Sequence, residues 1–458
     1  MSIELTLNTL EEKINIEQEI KDSAKDPFIF YILNKDFMSV LPIFVIIDFQ
    51  KETIKYINTF TANNIKIIKS LPNGRSEASQ TPHCSVGNTD KFYNFTYNLM
   101  EEDRSPLFRE VDVLNKKMYL ITPEDISANE SNALECCDTV SVLEDGSFLM
   151  SYFNGESNSY HKVSMDLKKS EFVFRDTIMK STPHQVCDYK NWILATGFFE
   201  REFSVAGEYF SSTSELVNYI KNLKQLDGHK YNFRIDLTNH DPFARQIGYI
   251  IAYNKKTKIT HRVKTITSPS HIEIDPETDM CYIASNNMIN FENEVWFIGE
   301  GTVEQFKMDE TEIYRTGTFI NPKGYRFTTH KFFKKNGNPY LAIFGYPNRL
   351  FIVDAKTMEL DYYDDIGPDY LSAQQNVKKF LNEVFPKTPI HPHRLSGMCV
   401  TDDNKFIMFP DQENLLFYEI ESRKIKYKIP FKKDNYFHLG NIFGQFCQYS
   451  LHCDFLRN

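Results

Sequence analysis

Along most of this chain apolar and polar residues alternate with a period of two, and the alternation breaks at short polar turns. The clearest copies are IFVIIDFQKETIKYI (Ile43 to Ile57), FREVDVLNKKMYLI (Phe108 to Ile121), YHKVSMDLKKSEFVF (Tyr160 to Phe174) and YIIAYNKKTKITHRV (Tyr249 to Val263). VEQFKMDETEIYR (Val303 to Arg315), LFIVDAKTMELDYY (Leu350 to Tyr363) and LLFYEIESRKIKYKI (Leu415 to Ile429) complete a set of seven. Alternation on both sides of a turn rich in Lys, Glu, Asn and Thr is the mark of an antiparallel hairpin. A second unit precedes six of the hairpins: a short segment, a polar turn, then a strongly apolar strand. Examples are CDTVSVLEDGSFLMSYF from Cys137, HIEIDPETDMCYIASNN from His271 and HRLSGMCVTDDNKFIMFP from His393. Two strands plus a hairpin make a four-stranded antiparallel sheet. Seven such units predict an all-β chain folded as a seven-bladed β-propeller with short helical insertions. Two separate β-sandwiches are the competing arrangement.

The first hairpin lacks the preceding unit. The C-terminal stretch NYFHLGNIFGQFCQYSLH has its character and is expected to return and complete the first blade. Residues 1–25 read as a charged helical extension, with Ile3, Leu5, Leu7, Leu10, Ile14 and Ile16 as its apolar positions. Residues 26–458 read as a single propeller domain. Two insertions break the repeat length. Residues 200–244 interrupt blade four, with a helix expected at SELVNYIKNLKQL, and residues 369–385 form a second helix between blades six and seven. Long connections of this kind are commonly lids or binding loops.

Composition narrows the function classes. Of 458 residues 41% are apolar and 25% charged, enough for a core and unlike a disordered chain. The formal charge of −10 argues against nucleic acid as a partner. No apolar run approaches the roughly 18 residues of a membrane span, so no transmembrane segment is expected. The N-terminus has no basic region followed by an apolar core, which predicts a cytoplasmic protein. The eight cysteines are scattered and form no CxxC pair, so reduced thiols are expected. Oligomeric state is not legible.

The histidines carry the candidate chemistry. His83, His184, His271, His330 and His393 each open the innermost-strand segment of a unit, and His438 opens the proposed closing strand. Equivalent positions on innermost strands are expected to converge on the central channel. Neutral imidazoles there could hold Fe, Zn, Cu, Mn or Ni with positions left open for substrate. His184, His271, His330 and His393 are the expected ligands, and His83 is expected to face substrate or to support a ligand. Asp188 and Glu273, on the same strands, could fix imidazole tautomers. His391, two residues before His393, could add a ligand or line the channel mouth. Arg394 could meet a substrate carboxylate. A metal-free acid–base or substrate-binding cluster is a second reading. A repeat histidine that only hydrogen-bonds neighbouring backbone is a third. No GxSxG, GxxxxGK[ST], HExxH or GxGxxG motif occurs.

With these residues in view the chain resembles the carotenoid-cleavage oxygenases. His271 in HIEIDPETDMCYIAS is similar to their His–Asp–Pro–x–Thr–Gly segment, and His330, His393 and His438 follow in order. That resemblance implies a seven-bladed propeller, an axial Fe(II) held by histidines and oxygenase chemistry on a small or apolar substrate. HPHRLSGMCVTDDNKFIMF is similar to the His-x-His stretch of oligogalacturonate-type lyases. This second resemblance implies manganese and lyase chemistry. Fe(II) is the favoured metal of the histidine site as a whole, with Mn, Zn or Cu also open. A propeller that serves as a non-catalytic binding platform is the remaining alternative.

Overall fold

The computed structural model describes residues 2–32, 43–58, 83–86, 91–97, 106–121, 135–136, 141–143, 145, 147–153, 157–164, 169–177, 183–197, 203–205, 208–210, 234–236, 245–246, 248–266, 269–290, 296–321, 327–345, 349–366, 398–410 and 414–431. Within them the chain is almost entirely β-strand.

The N-terminal segment gives β1 (Ser2–Thr6), β2 (Asn8–Lys13) and α1 (Gln18–Ser23). Blade 1 contains β3 (Phe28–Ile32), β4 (Ile43–Asp48) and β5 (Thr53–Asn58), with β2 paired outside β5. Blade 2 contains β6 (His83–Val86), β7 (Lys91–Tyr97), β8 (Pro106–Asp112) and β9 (Lys117–Ile121), with β1 paired outside β9. In blade 3, β10 (Glu135–Cys136) and β11 (Ser141–Val142) both pair with β12 (Phe148–Phe153), followed by β13 (Asn158–Val163) and β14 (Ser170–Asp176). Blade 4 opens with β15 (Pro183–Tyr189) and β16 (Trp192–Gly197). The insertion then supplies β17 (Phe203–Val205), β18 (Glu208–Phe210), β19 (Arg234–Asp236) and β20 (Arg245–Gln246). Blade 4 closes with β21 (Gly248–Asn254) and β22 (Thr260–Thr265). Blade 5 is β23 (Pro269–Asp275), β24 (Met280–Asn290), β25 (Trp296–Met308) and β26 (Ile313–Ile320). Blade 6 is β27 (Phe327–Lys335), β28 (Asn338–Gly345), β29 (Arg349–Asp354) and β30 (Glu359–Asp365). Blade 7 is β31 (Cys399–Val400), β32 (Phe406–Pro410), β33 (Asn414–Glu419) and β34 (Lys424–Pro430).

The fold is therefore the all-β propeller read from the repeats, and all seven hairpins fall where the alternation places them. The first strands β6, β11, β15, β23, β27 and β31 neighbour one another in turn, so they line the centre of the ring. The insertion in blade 4 is partly strand: β17, β18 and β20 make a small sheet, and β19 runs parallel to the start of the long β25. The helices expected inside 200–244 and at 369–385, and the closing strand expected after residue 432, lie outside the described residues. β3 supplies part of the unit that the first hairpin was expected to lack.

The N-terminal helix is a correction. Ile3, Leu5 and Leu7 alternate with period two, and the segment is two outer strands, with helix confined to Gln18–Ser23. Both strands lie at the solvent-exposed rim, where their charges pair across the ladder: Glu4 with Lys117 at 2.7 Å and Glu11 with Lys55 at 3.3 Å.

The core lies between blades. Cys187, Trp192, Leu194, Ile250 and Ala252 of blade 4 pack against Ile272, Ile283 and Phe306 of blade 5. The other face of blade 5 offers Tyr282, Ala284 and Val303 to Phe327, Leu341, Ile343 and Phe351 of blade 6. Blade 6 repeats this toward blade 7, and blade 7 packs Phe406, Met408 and Phe417 against Val45, Ile47 and Phe49 of blade 1. Gly301 sits so close to Phe327 that a β-carbon there would stand 2.6 Å from the ring. Only glycine permits that approach of blade 5 to blade 6.

Five of the outer hairpins share one turn. A polar residue ends the third strand, and four residues later a residue adopts positive φ: Glu52, Lys116, Lys258, Met358 and Arg423. Asp48, Asp112, Asn254 and Asp354 hold the turn by accepting backbone N–H bonds at 2.8–3.0 Å. Such side chains mimic a backbone turn and stabilise it locally. The left-handed residue costs about 1–2 kcal/mol when it is not glycine. Lys258→Gly should therefore raise unfolding stability by about 0.5–1 kcal/mol, part of the relief being lost to the freer unfolded chain. Asp354→Ala should lower it by about 1 kcal/mol through its two freed N–H groups. Urea titration of both variants checks this, and a neutral or destabilising Lys258→Gly contradicts it.

Candidate functional site

The first strands of blades 4, 5 and 6 begin with the same irregularity. Pairing steps from Pro183↔Gly197 to Gln185↔Thr196, from Pro269↔Ser285 to His271↔Ala284, and from Phe327↔Gly345 to Thr329↔Phe344. Each step leaves one bulged residue, which gives the three blades a common reference. Against it, His184 is the bulged residue, His271 is the next one, and His330 is the one after that. The histidines therefore occupy three successive register positions, not one. Side chains alternate along a strand, so successive positions leave on opposite faces.

Those faces are turned to neighbouring blades. Ile272 and Ile274 belong to the cluster shared with blade 4, so His271 and Glu273 lie on the face of β23 turned to blade 6. Gln185 has the register position of His271 one blade earlier. Its Oε1 accepts the Ile272 N–H at 2.7 Å, and its Nε2 donates to the Ile272 carbonyl at 3.4 Å. It is a clamp between the first strands of blades 4 and 5.

His330 is 1% exposed, and its Nε2 donates to the Tyr282 carbonyl of blade 5 at 3.0 Å. That bond fixes the tautomer, and Nδ1 is buried with no hydrogen-bond partner. Burial pulls the imidazole down to about 3, so it stays neutral. Its ring lies in the seam between blades 5 and 6.

The supporting carboxylates also have other partners. Asp188 binds the Lys255 ammonium at 2.5 Å, and Glu273 binds Lys331 at 2.7 Å. The Glu273–Lys331 pair joins the first strands of blades 5 and 6, with side chains only 18% and 11% exposed. His271, half-buried, is two residues from Glu273 on the same face of β23. One strand away, burial pushes the Cys187 thiol up to about 12, with Asp188 and Glu273 adding to the shift, which makes it a poor nucleophile. Cys187, Cys281 and Cys399 are free thiols.

Among the described residues no group of three or more His, Cys, Asp or Glu side chains is placed to share a metal ion. His271 and His330 are the two expected ligands whose side chains are described. The side chains of His83 and His184, and all of His391, His393, Arg394 and His438, lie outside the described residues. The charged residue that the histidine pattern passed over is Lys331. Its signal was a lysine in the middle of an inner strand, in the run HKFFKK. Among the described residues no helix is long and apolar enough to cross a membrane.

Neutral His330 gives a defined acid response. Its folded value of about 3 lies below the ordinary value of 6.5, so the unfolded chain binds the extra proton between them. Stability is full above pH 6.5 and falls as pH drops toward 3, by up to about 1.4 kcal/mol per pH unit. In His330→Gln this part of the slope should vanish. Unfolding midpoints from pH 7 to 4 with an unchanged slope in the variant would show that His330 does not carry it.

No protein-family model matches the chain, and no curated protein matches it. Solved structures do. A Lactobacillus plantarum protein shows 10% identity over 89% of this chain and 96% of its own, with TM-score 0.46. A candidate 6-phosphogluconolactonase from Bacteroides fragilis shows 10% identity over 91% and 96%, with TM-score 0.44. Saccharomyces cerevisiae Sqt1 shows 5% identity over 78% and 77%, with TM-score 0.44. None of these is named as a carotenoid oxygenase or an oligogalacturonate lyase. The carotenoid-oxygenase resemblance required His271 and His330 to share one axial position, and the register separates them; among the described residues no His, Cys, Asp or Glu group is placed to hold the metal that either resemblance implies. The iron oxygenase and lyase readings are withdrawn on that ground, and with them the iron-dioxygenase assignment.

Proposed function

We propose that this propeller binds a small anionic molecule at the centre of its ring, between the first strands of blades 5 and 6. The observation that carries the reading is the Glu273–Lys331 pair on β23 and β27. Taking two charges out of water costs several kcal/mol per ion, and a partly buried pair is weak as a device for stability. Apolar residues of similar volume would hold the seam as well. Charges placed among apolar inner strands are a mark of a functional site. Lys331 supplies the cation that an anionic ligand needs, and Glu273 holds that ammonium in position before the ligand arrives. His271, on the same face as Glu273, is the group suited to carry a proton to or from the bound molecule. The reaction class that such a set serves is proton-transfer chemistry on an anionic substrate.

Thermal unfolding against a ligand panel tests the reading. The panel sets a phosphorylated sugar acid, citrate and inorganic phosphate beside neutral glucose. It includes the phosphorylated sugar acid because of the activity for which one of the similar structures is named, although the proposal stands on the ion pair. An anion at about a hundred times its dissociation constant should stabilise the protein by about 2.7 kcal/mol, and glucose should not. Lys331→Met should fold and lose the shift. Anion stabilisation that survives in Lys331→Met, or no anion effect on the wild type, would overturn the proposal.

A further inference from the structure

We propose that residues 2–25 are the clasp of the ring, joining blades 7, 1 and 2 from outside, with Glu19 as its latch. The segment touches three blades in sequence. β1 pairs with the outer strand of blade 2, from Ser2↔Ile121 to Thr6↔Lys117. After the single residue Leu7, β2 pairs with the outer strand of blade 1, from Asn8↔Asn58 to Lys13↔Thr53. Leu7 itself is buried, and its N–H donates to the Lys116 carbonyl at the blade 2 turn. The chain then enters α1, where Ile16, Ile20 and Ala24 join the apolar cluster shared by blades 1 and 7.

The end of α1 is tied to both blades by hydrogen bonds. Ser23 accepts the Asp402 N–H at 2.9 Å, and Asp402 in turn accepts the Lys25 N–H at 2.9 Å. On the blade 1 side, Gln50 donates to the Lys21 and Ala24 carbonyls, and Lys21 pairs with Glu52 at 2.6 Å. The latch is on the blade 7 side. The Glu19 carboxylate accepts from Lys405, from Lys426 at 3.0 Å and from the Tyr427 hydroxyl. Lys405 first, then Tyr427 and Lys426, hold this carboxyl down to about 2, so it remains ionised. Three donors from the turn before β32 and from β34 thus converge on one side chain of α1. Neither blade 1 nor blade 7 can move from its neighbour without breaking part of this set.

Hydrogen–deuterium exchange on the full-length protein distinguishes a clasp from a decoration. Glu19→Gln should speed exchange several-fold in β4–β5 and β32–β33, and leave β24, β28 and β29 of blades 5 and 6 at wild-type rates. Raising salt to about 1 M should produce the same pattern in the wild type, because exposed charges are screened within about 3 Å there. Ile20→Ala, which touches no charge, should reproduce the pattern with a larger effect. Unchanged rates in blades 1 and 7, or an even increase around the ring, would overturn the proposal.

Discussion

Burial between blades is the constraint from which the rest follows. Each sheet is apolar on both faces, and four strands cannot bury two faces alone. Blade 5 shows this directly: Cys281 and Ile283 face blade 4, while Tyr282 and Ala284 face blade 6. Every blade needs two neighbours, so the arrangement is stable only as a closed circle. The polar bridges follow the same logic. The Trp192 indole and the Asn254 amide of blade 4 donate to carbonyls in the blade 5 turn. Gln305 of blade 5 donates to the Ala355 carbonyl of blade 6. Blades 4 and 5 thus each satisfy backbone at the outer turn of the next.

That constraint explains what was legible in the sequence. A strand buried on one face at a time alternates, and turn residues punctuate it, so all seven outer hairpins could be located from pattern and turn chemistry. The N-terminal strands were missed because rim strands carry charges that resemble a solvated helix. Ile3, Leu5 and Leu7 held the correct period, but Glu11, Glu12 and Lys13 obscured it. The histidines were misaligned for a different reason. Pro-Ser-His before β24 and Thr-Thr-His before β28 look equivalent as strings. Their distances from the bulged residue differ by one, and a shift of one exchanges faces. A bulge has no composition of its own, so only the pairing register reveals it.

The same register separates two kinds of buried polar group. Gln185 and His330 lie in seams and bond to neighbouring backbone, which fixes how two blades meet. Glu273 and Lys331 meet each other charge to charge across the same seam. The first kind is explained by the architecture. The second kind places two charges between inner strands that are otherwise joined by apolar packing and backbone bonds.

The order in which the chain is made gives the N-terminal segment a further consequence. Glu19 meets partners 386 and 408 residues later in sequence. Residues 2–25 are thus made long before their blade 7 partners, and are among the last to find all their contacts. β1 waits for residue 117 and β2 for residue 53 before either can pair. Until blade 7 exists, the apolar side of α1 has only the blade 1 half of its cluster to pack against. Pairings of such long range are slow to form and expose the chain to aggregation while they are absent. The charges that disguise this segment as a helix also keep an unpaired strand soluble during that delay.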